Sequence, residues 1–413
     1  MKSFLSRFML CLMVFAAVGA RANQAILNAD QVLEIDGQQI FVICFSLPPP
    51  VDGKAPNGKN AIAELADAGA TFLRAGSLGG DWNAARFKEE KKFQDAAARY
   101  GLHCWLSLRE AASLKPGDAQ HEALLRKILT AFRHHPGLGA YKGVDEPEWG
   151  KHPLPPMERA WQIIKELDPH HPVVLIQAPR GTVASLRTYN AVSDIAGVDI
   201  YPIAYPPGLH SQFVKTNAEI SMVGDYARLM MEVGEQKKPL WMTLQVVWSG
   251  VSNPGKTLRL PTFPEERFMT YQAIINGARG VNYFGAGIPA GWNEQDRKLG
   301  WNWHFWDRVL RPVVEEIGTK SPLYPALVAP KSPLPLQVKG DGVEFCAREV
   351  GKDFFLLACK REGATIKAEF SGLPASATEG DVLFESPRTV QAKDGKLTDW
   401  FAPFDVHVYR FRL

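Results

Sequence analysis

The sequence predicts an α/β fold: a (β/α)₈ TIM barrel followed by a small antiparallel β-sandwich domain. Three observations predict it. Short apolar runs alternate with amphipathic stretches eight times over roughly 280 residues, the repeat and size of such a barrel. Several of those runs end in polar side chains, which is where barrel strands present chemistry. After Ser321 helical periodicity stops, and a proline-rich connection leads into runs of period two.

Taken in order, residues 1–22 read as a cleaved secretory signal peptide. Lys2 and Arg7 form the basic start, Phe8 to Val18 the apolar run, and Ala20-Arg21-Ala22 a small-x-small cleavage site. The run is too short to span a bilayer, and no later segment is long and apolar enough to do so. The mature chain is therefore expected to be secreted or periplasmic, without a membrane span. Its removal takes away Lys2, Arg7 and Arg21 and no acid, so the formal charge falls from +3 to zero. That balance carries no electrostatic footprint for nucleic acid.

The barrel, residues 23–320, is expected to place its strands at Ile40–Leu47, Thr71–Ser77, His103–Arg109, Leu138–Asp145, Pro172–Gln177, Ile195–Tyr201, Pro239–Val247 and Gly280–Gly285. Helical patterns such as Trp82–Tyr100, His121–His134, Met157–Leu167, Ser221–Glu235 and Glu265–Gly277 separate them, and Trp303–Ile317 follows the last. A doubly wound sheet would more often carry a glycine-rich turn after its first strand, where this chain has SLPPPVDG. Residues 321–413 form the sandwich domain, with strands expected at Val343–Val350, Asp353–Cys359, Thr365–Phe370, Asp381–Phe384 and Val406–Phe411. Cys44, Cys104, Cys346 and Cys359 are widely spaced, without metal-ligand spacing, and read as buried small apolar residues.

Polar groups close the strands that would meet at the barrel mouth. Strand two ends in Arg74 and strand three in Arg109-Glu110. Strand four, within YKGVDEPEWG, ends in Asp145-Glu146 before a proline. A carboxyl lodged there beside aromatic residues is suited to protonate a leaving oxygen. Strand six reads GVDIYP, and period two puts Asp199 and Tyr201 on one face. Strand seven supplies Gln245 and Trp248; the eighth and its loop supply Asn282, Trp292 and Glu294. Each has a plainer use: Arg74 neutralising a buried acid, Asp199 capping a loop, Glu110 pairing with Arg109, Asp145-Glu146 opening a helix. Their convergence from separate strands favours a shared site.

Trp292, Trp301, Trp303 and Trp306 cluster in GWNEQDRKLGWNWHFW, and flat rings suit the apolar faces of pyranose sugars. Trp292 and Trp248 are the expected platforms; the other three equally suit core packing around a helix start. His134-His135 and His170-His171 precede prolines after helices and read as helix ends. No metal or organic cofactor is expected.

With these residues in place, the chain resembles the retaining glycoside hydrolases of clan A and their uncharacterised bacterial relatives, over nearly all of residues 23–413. Arg74 matches the arginine ending strand two. Asp145-Glu146 stands at the family's Asn-Glu, which implies that Glu146 is the general acid. Tyr201 matches the strand-six tyrosine, and MTYQAIINGARGVNYFGAG resembles the segment leading into strand eight. Two departures stand out: Gln245 occupies the place of the strand-seven nucleophile, and Phe284 that of the strand-eight tryptophan. A carboxamide forms no glycosyl ester. The resemblance then implies an oligo- or polysaccharide substrate cleaved with Glu146 as acid, Asp145 tuning it, and Asp199 ahead of Glu110 and Glu294 as second carboxylate. Arg74, Tyr201 and Gln245 would orient the sugar. An inverting course asks for carboxyls roughly 6.5–9.5 Å apart. The alternative is a non-catalytic glycan-binding protein on a disabled barrel.

Overall fold

The computed structural model describes residues 24–74, 80–205, 218–246, 257–289 and 291–413. The predicted leader and Trp248 lie outside the described residues. Strands β1 (Val42–Ser46), β2 (Phe72–Arg74), β3 (His103–Ser107), β4 (Leu138–Asp145), β5 (Val173–Gln177), β6 (Ile195–Ile200), β7 (Leu240–Gln245) and β8 (Ala278–Phe284) close into a parallel barrel in chain order, β8 pairing back onto β1. These are the eight expected runs, some shorter by a residue or more at their ends.

Strand alternation fills the barrel. Val42, Phe72, Trp105, Ala140, Val174 and Trp241 point inward as one apolar cluster, with Trp105 and Trp241 meeting edge to face at 5.7 Å and 82°. A three-stranded antiparallel sheet (Ala25–Leu27, Leu33–Ile35, Gln38–Ile40) adds Ala25, Leu33 and Ile35 to that cluster. Because it packs on Val42 and Ile195, the first residues of their strands, it plugs the end opposite the mouth. Three-residue strands carry too little periodicity to be seen in the sequence.

Each strand-to-strand crossing is covered by a helix that buries one stripe. Helix Ala84–Arg99 buries Phe93, Ala96 and Ala97, and the Asn83 side chain caps it by accepting from the Arg86 N–H. The helix expected at Trp303–Ile317 is interrupted. Pro312 has no N–H to give the Arg308 carbonyl, and the ladder widens so that the Arg311 N–H donates to the Trp306 carbonyl, five residues back. Trp301, Trp303 and Trp306 are fully buried, with the rings of Trp306 and Trp301 at 5.6 and 6.2 Å from Phe45. They are core, not sugar platforms.

The C-terminal domain is an antiparallel sheet of eight strands folded over its own core of Phe354, Leu356, Phe370, Phe401 and Phe411. Three strands were not foreseen: Gln337–Lys339, Thr389–Lys393 and Lys396–Phe401. The last two form a hairpin around Asp394 (φ 53) and Gly395 (φ 70), the Asp-Gly turn whose twist suits paired strands. Its other face joins the barrel: Cys346, Phe355, Leu357 and Val408 belong to the same apolar cluster as Phe268 and Tyr226. Glu344 sits at that seam, accepting from Arg228, Gln272, Asn276 and Arg361. All four described cysteines are buried and free, two in the barrel and two at the seam.

Candidate active site

Strict alternation along β4 would point Lys142 and Val144 into the barrel and leave Asp145 outside. The structure avoids this with a bulge. Lys142 pairs with Val174 and Asp145 with Ile176, so three steps on β4 face two on β5. Val144 therefore turns to the outer core, while Lys142 and Asp145 both reach the inner face. Lys142 is 2% exposed and forms an ion pair with Asp145. Burial works upward on the Asp145 carboxyl, but the Lys142 and Arg74 charges outweigh it and hold the pKa below the ordinary range.

Glu146 follows with φ 44, a left-handed backbone that a non-glycine residue adopts at some cost. Its N–H donates to the Ile176 carbonyl at 2.8 Å, so the strained residue is tied to β5 where β4 ends. The side chain then meets Asp199 of β6 in a carboxyl–carboxyl hydrogen bond. The contact works downward on the Glu146 pKa and upward on that of Asp199, so in it Asp199 is the donor and Glu146 the acceptor. Burial raises the Glu146 pKa; the Asp199 hydrogen bond works against this and the Asp145 charge adds to it. Asp199 is pushed well above its usual range, by burial first and then by the Glu146 and Asp145 charges. The Tyr201 hydroxyl lies close to Asp199, and its ring stacks on Phe284 at 5.6 Å. The inward face expected for Asp199 and Tyr201 is the face they occupy.

Around this centre the other expected residues fall into two groups. Arg74, Arg109, Glu110, Lys142, Asp145 and His152 line a cavity of about 380 Å³ beside Glu146. Arg74 donates to Ser46 Oγ at 3.5 Å and lies 6.0 Å from the Trp105 ring. Glu110 accepts from the Trp82 N–H at 2.6 Å through Oε1, and its Oε2 is buried without a partner among the described residues, as is Asp199 Oδ1. Glu110 was expected to pair with Arg109 if it were structural; it pairs with a backbone amide instead.

Gln245 and Glu294 are engaged elsewhere. Gln245 is 1% exposed; its Oε1 accepts from the Ile203 N–H at 2.7 Å and its Nε2 donates to the Ile203 carbonyl at 3.0 Å. The carboxamide closes a two-bond ring on the peptide that follows Tyr201, so it braces a loop. Glu294 is 83% exposed and pairs with Lys298. Trp292 is half-buried on the loop after β8, with its Nε1 unpartnered among the described residues.

Several contributors were not singled out from the sequence. Lys142 was hidden by the bulge. Ser46 and Thr243 were also missed; with Asn282, which the sequence did offer, they make a polar ladder inside the barrel, Ser46 Oγ donating to Asn282 Oδ1 at 3.0 Å and Asn282 Nδ2 donating to Thr243 Oγ1 at 3.1 Å. Trp149, three residues past Glu146, is 45% exposed and lies under Arg180. Its signal was present in YKGVDEPEWG, but a lone tryptophan in a turn has no period to mark its side. Among the described residues no group of three or more His, Cys, Asp or Glu is placed to hold a metal. His171 instead bonds Asp168 at 2.8 Å, and His135 bonds Asp95 at 3.0 Å.

Chemically, a carboxyl whose pKa is raised by burial, in contact with a second carboxyl at a barrel-strand end, is suited to donate a proton. No protein-family model matches the sequence, and no curated protein matches it. Solved structures do. A glycoside hydrolase is similar with a TM-score of 0.61 at 10% identity, over 95% of this chain and 97% of the other. A glycoside hydrolase family 5 protein from Bacteroides vulgatus gives 0.60 at 12%, over 94% and 92%. A GH30 endoxylanase from Clostridium papyrosolvens gives 0.53 at 12%, over 91% and 97%. This chain has the barrel-plus-sheet fold of those glycoside hydrolases.

Proposed function

We propose that this chain is an exported glycoside hydrolase that cleaves an O-glycosidic bond of an oligo- or polysaccharide with Glu146 as the general acid. One observation carries the reading: two carboxyls, Glu146 after strand four and Asp199 on strand six, meet at one end of a barrel with a glycoside-hydrolase fold. Glu146 gives its proton to the leaving oxygen. Asp199, in direct contact with it, leaves no room for sugar or water between them, so it is a coupled partner of the acid rather than a facing base or nucleophile. Asp145, held ionised by Lys142, raises Glu146 further. Arg74 and Tyr201 orient the reacting sugar, and Trp248 and Trp292 serve as platforms.

With Gln245 bound to Ile203, the water-activating carboxylate of an inverting course falls to Glu110, which lines the same cavity as Asp145. The segments outside the described residues contain no Asp or Glu, so they add no rival. The occupied place of Gln245 also favours a second reading, a glycan-binding protein without turnover. Incubation of the purified protein with α- and β-linked hexasaccharides separates the two. Shortened products support the hydrolase, and retention without cleavage supports the binder. Neither binding nor cleavage on any glycan overturns both.

A further inference from the structure

We infer that Trp149 and Arg180 form a sugar-stacking platform on the leaving-group side of Glu146, a positioning site that accepts the flat face of a pyranose unit; this rests on the hydrolase or binder reading above. Trp149 and Trp400 are the exposed tryptophans among the described residues, and Trp400 belongs to a sandwich strand. Trp149 sits on the loop that carries Glu146 out of β4. An indole left nearly half in water there forfeits the burial a tryptophan ordinarily takes, and its neighbours hold it in that state.

The loop is tied down on every side of it. The Gly150 N–H donates to the Glu146 carbonyl at 2.9 Å and the His152 N–H to the Pro147 carbonyl at 2.9 Å. The Glu148 N–H donates to Gln177 Oε1 at 3.2 Å, and the Tyr189 hydroxyl reaches the Pro147 and His152 carbonyls at 3.1 and 2.9 Å. The Arg180 guanidinium lies 3.3 Å from the centroid of the indole, a stacked cation that fixes the ring's tilt. A rigid exposed ring costs little further ordering when a ligand lands on it. The same Arg180 charge acts on Glu146, opposing the rise in its pKa. Platform and acid are therefore coupled through one side chain.

The chemistry of such a surface selects its ligand. The C–H face of a pyranose packs on the indole face opposite the one on which Arg180 stacks. The reacting sugar must reach Glu146 from the cavity floor of Lys142 and Asp145. The bridging oxygen then lies at Glu146, and the next unit outward passes over the loop bearing Trp149. The platform thus grips the departing part of the chain.

The test uses full-length protein carrying Glu146→Gln, so that glycan is bound and not consumed. Calorimetric titration with hexasaccharides of β-1,4-linked glucose, xylose, mannose and N-acetylglucosamine, and with maltohexaose, identifies a ligand. Adding Trp149→Ala should weaken that binding about tenfold, and Trp149→Phe should restore most of it, because a smaller flat ring still stacks. Equal thermal midpoints for the three proteins exclude a folding cause. Undiminished affinity in Trp149→Ala overturns the platform while leaving the role of Glu146 intact. Binding of no hexasaccharide overturns the platform and the glycan reading together.

Discussion

At the scale of single residues, the geometry replaces a spacing argument with a bonding one. Gln245 ends strand β7, and its amide is complementary to a peptide: one acceptor and one donor, both used on Ile203. Gln245→Glu would set a carboxylate oxygen against the Ile203 carbonyl. We expect that substitution to lower stability by about 1–3 kcal/mol, read from chemical denaturation, and to create no retaining activity. A gain of turnover with unchanged stability would contradict the bracing role. Asp199 offers a second test. In Asp199→Asn the coupled pair loses the member that holds its proton to higher pH, so the last proton leaves the site at lower pH. The acid acts only when protonated, so the alkaline limb of the kcat/KM profile should move to lower pH; an unmoved limb would contradict the coupling. Stability shows the same linkage. The raised folded pKa of Asp199 makes its contribution greatest below the ordinary carboxyl range and lost as pH climbs. The Asn variant should therefore gain on the parent as pH rises.

At the scale of elements, regular strands were legible and irregular ones were not. Asp199 and Tyr201 could be assigned to one face because β6 keeps period two to its end, and all eight barrel strands stood out as apolar runs. The β4 bulge escaped notice because an extra residue leaves composition unchanged while reversing the side of everything after it. That is why Lys142, the counter-ion of Asp145, was overlooked. The Asp394-Gly395 turn carried a readable signal, yet its flanking strands are too polar to rise above loop. The three clustered tryptophans looked alike in sequence to platform residues; only packing on Phe45 distinguishes them. On β6, Gly197 precedes Asp199 by two residues, and a Cβ there would lie 2.8 Å from the Trp241 carbonyl oxygen and 2.4 Å from Ile176 Cδ1. Gly197→Ala should cost about 1–3 kcal/mol by overpacking and displace Asp199 from Glu146. A variant equally stable and equally active would show the strand to be looser than the contacts indicate.

At the scale of the whole molecule, the barrel and the sandwich share one apolar cluster, and Arg361 spans the seam to Asp225 at 2.8 Å while also meeting Glu344. A half-buried seam of that kind couples the domains. Scanning calorimetry should show a single unfolding transition; two well-separated transitions would mean the domains melt independently. The sandwich also reaches the start of helix Met222–Val233, where Ser221 bonds Glu362.

Everything in the functional account returns to the carboxyl at residue 146. The most direct measurement compares kcat/KM of the parent and of Glu146→Gln on whichever glycan the parent cleaves, alongside the affinity of each for that glycan. The account predicts a fall of about 10²- to 10⁴-fold in kcat/KM with affinity and thermal midpoint unchanged. A variant that retains the parent's turnover would contradict it.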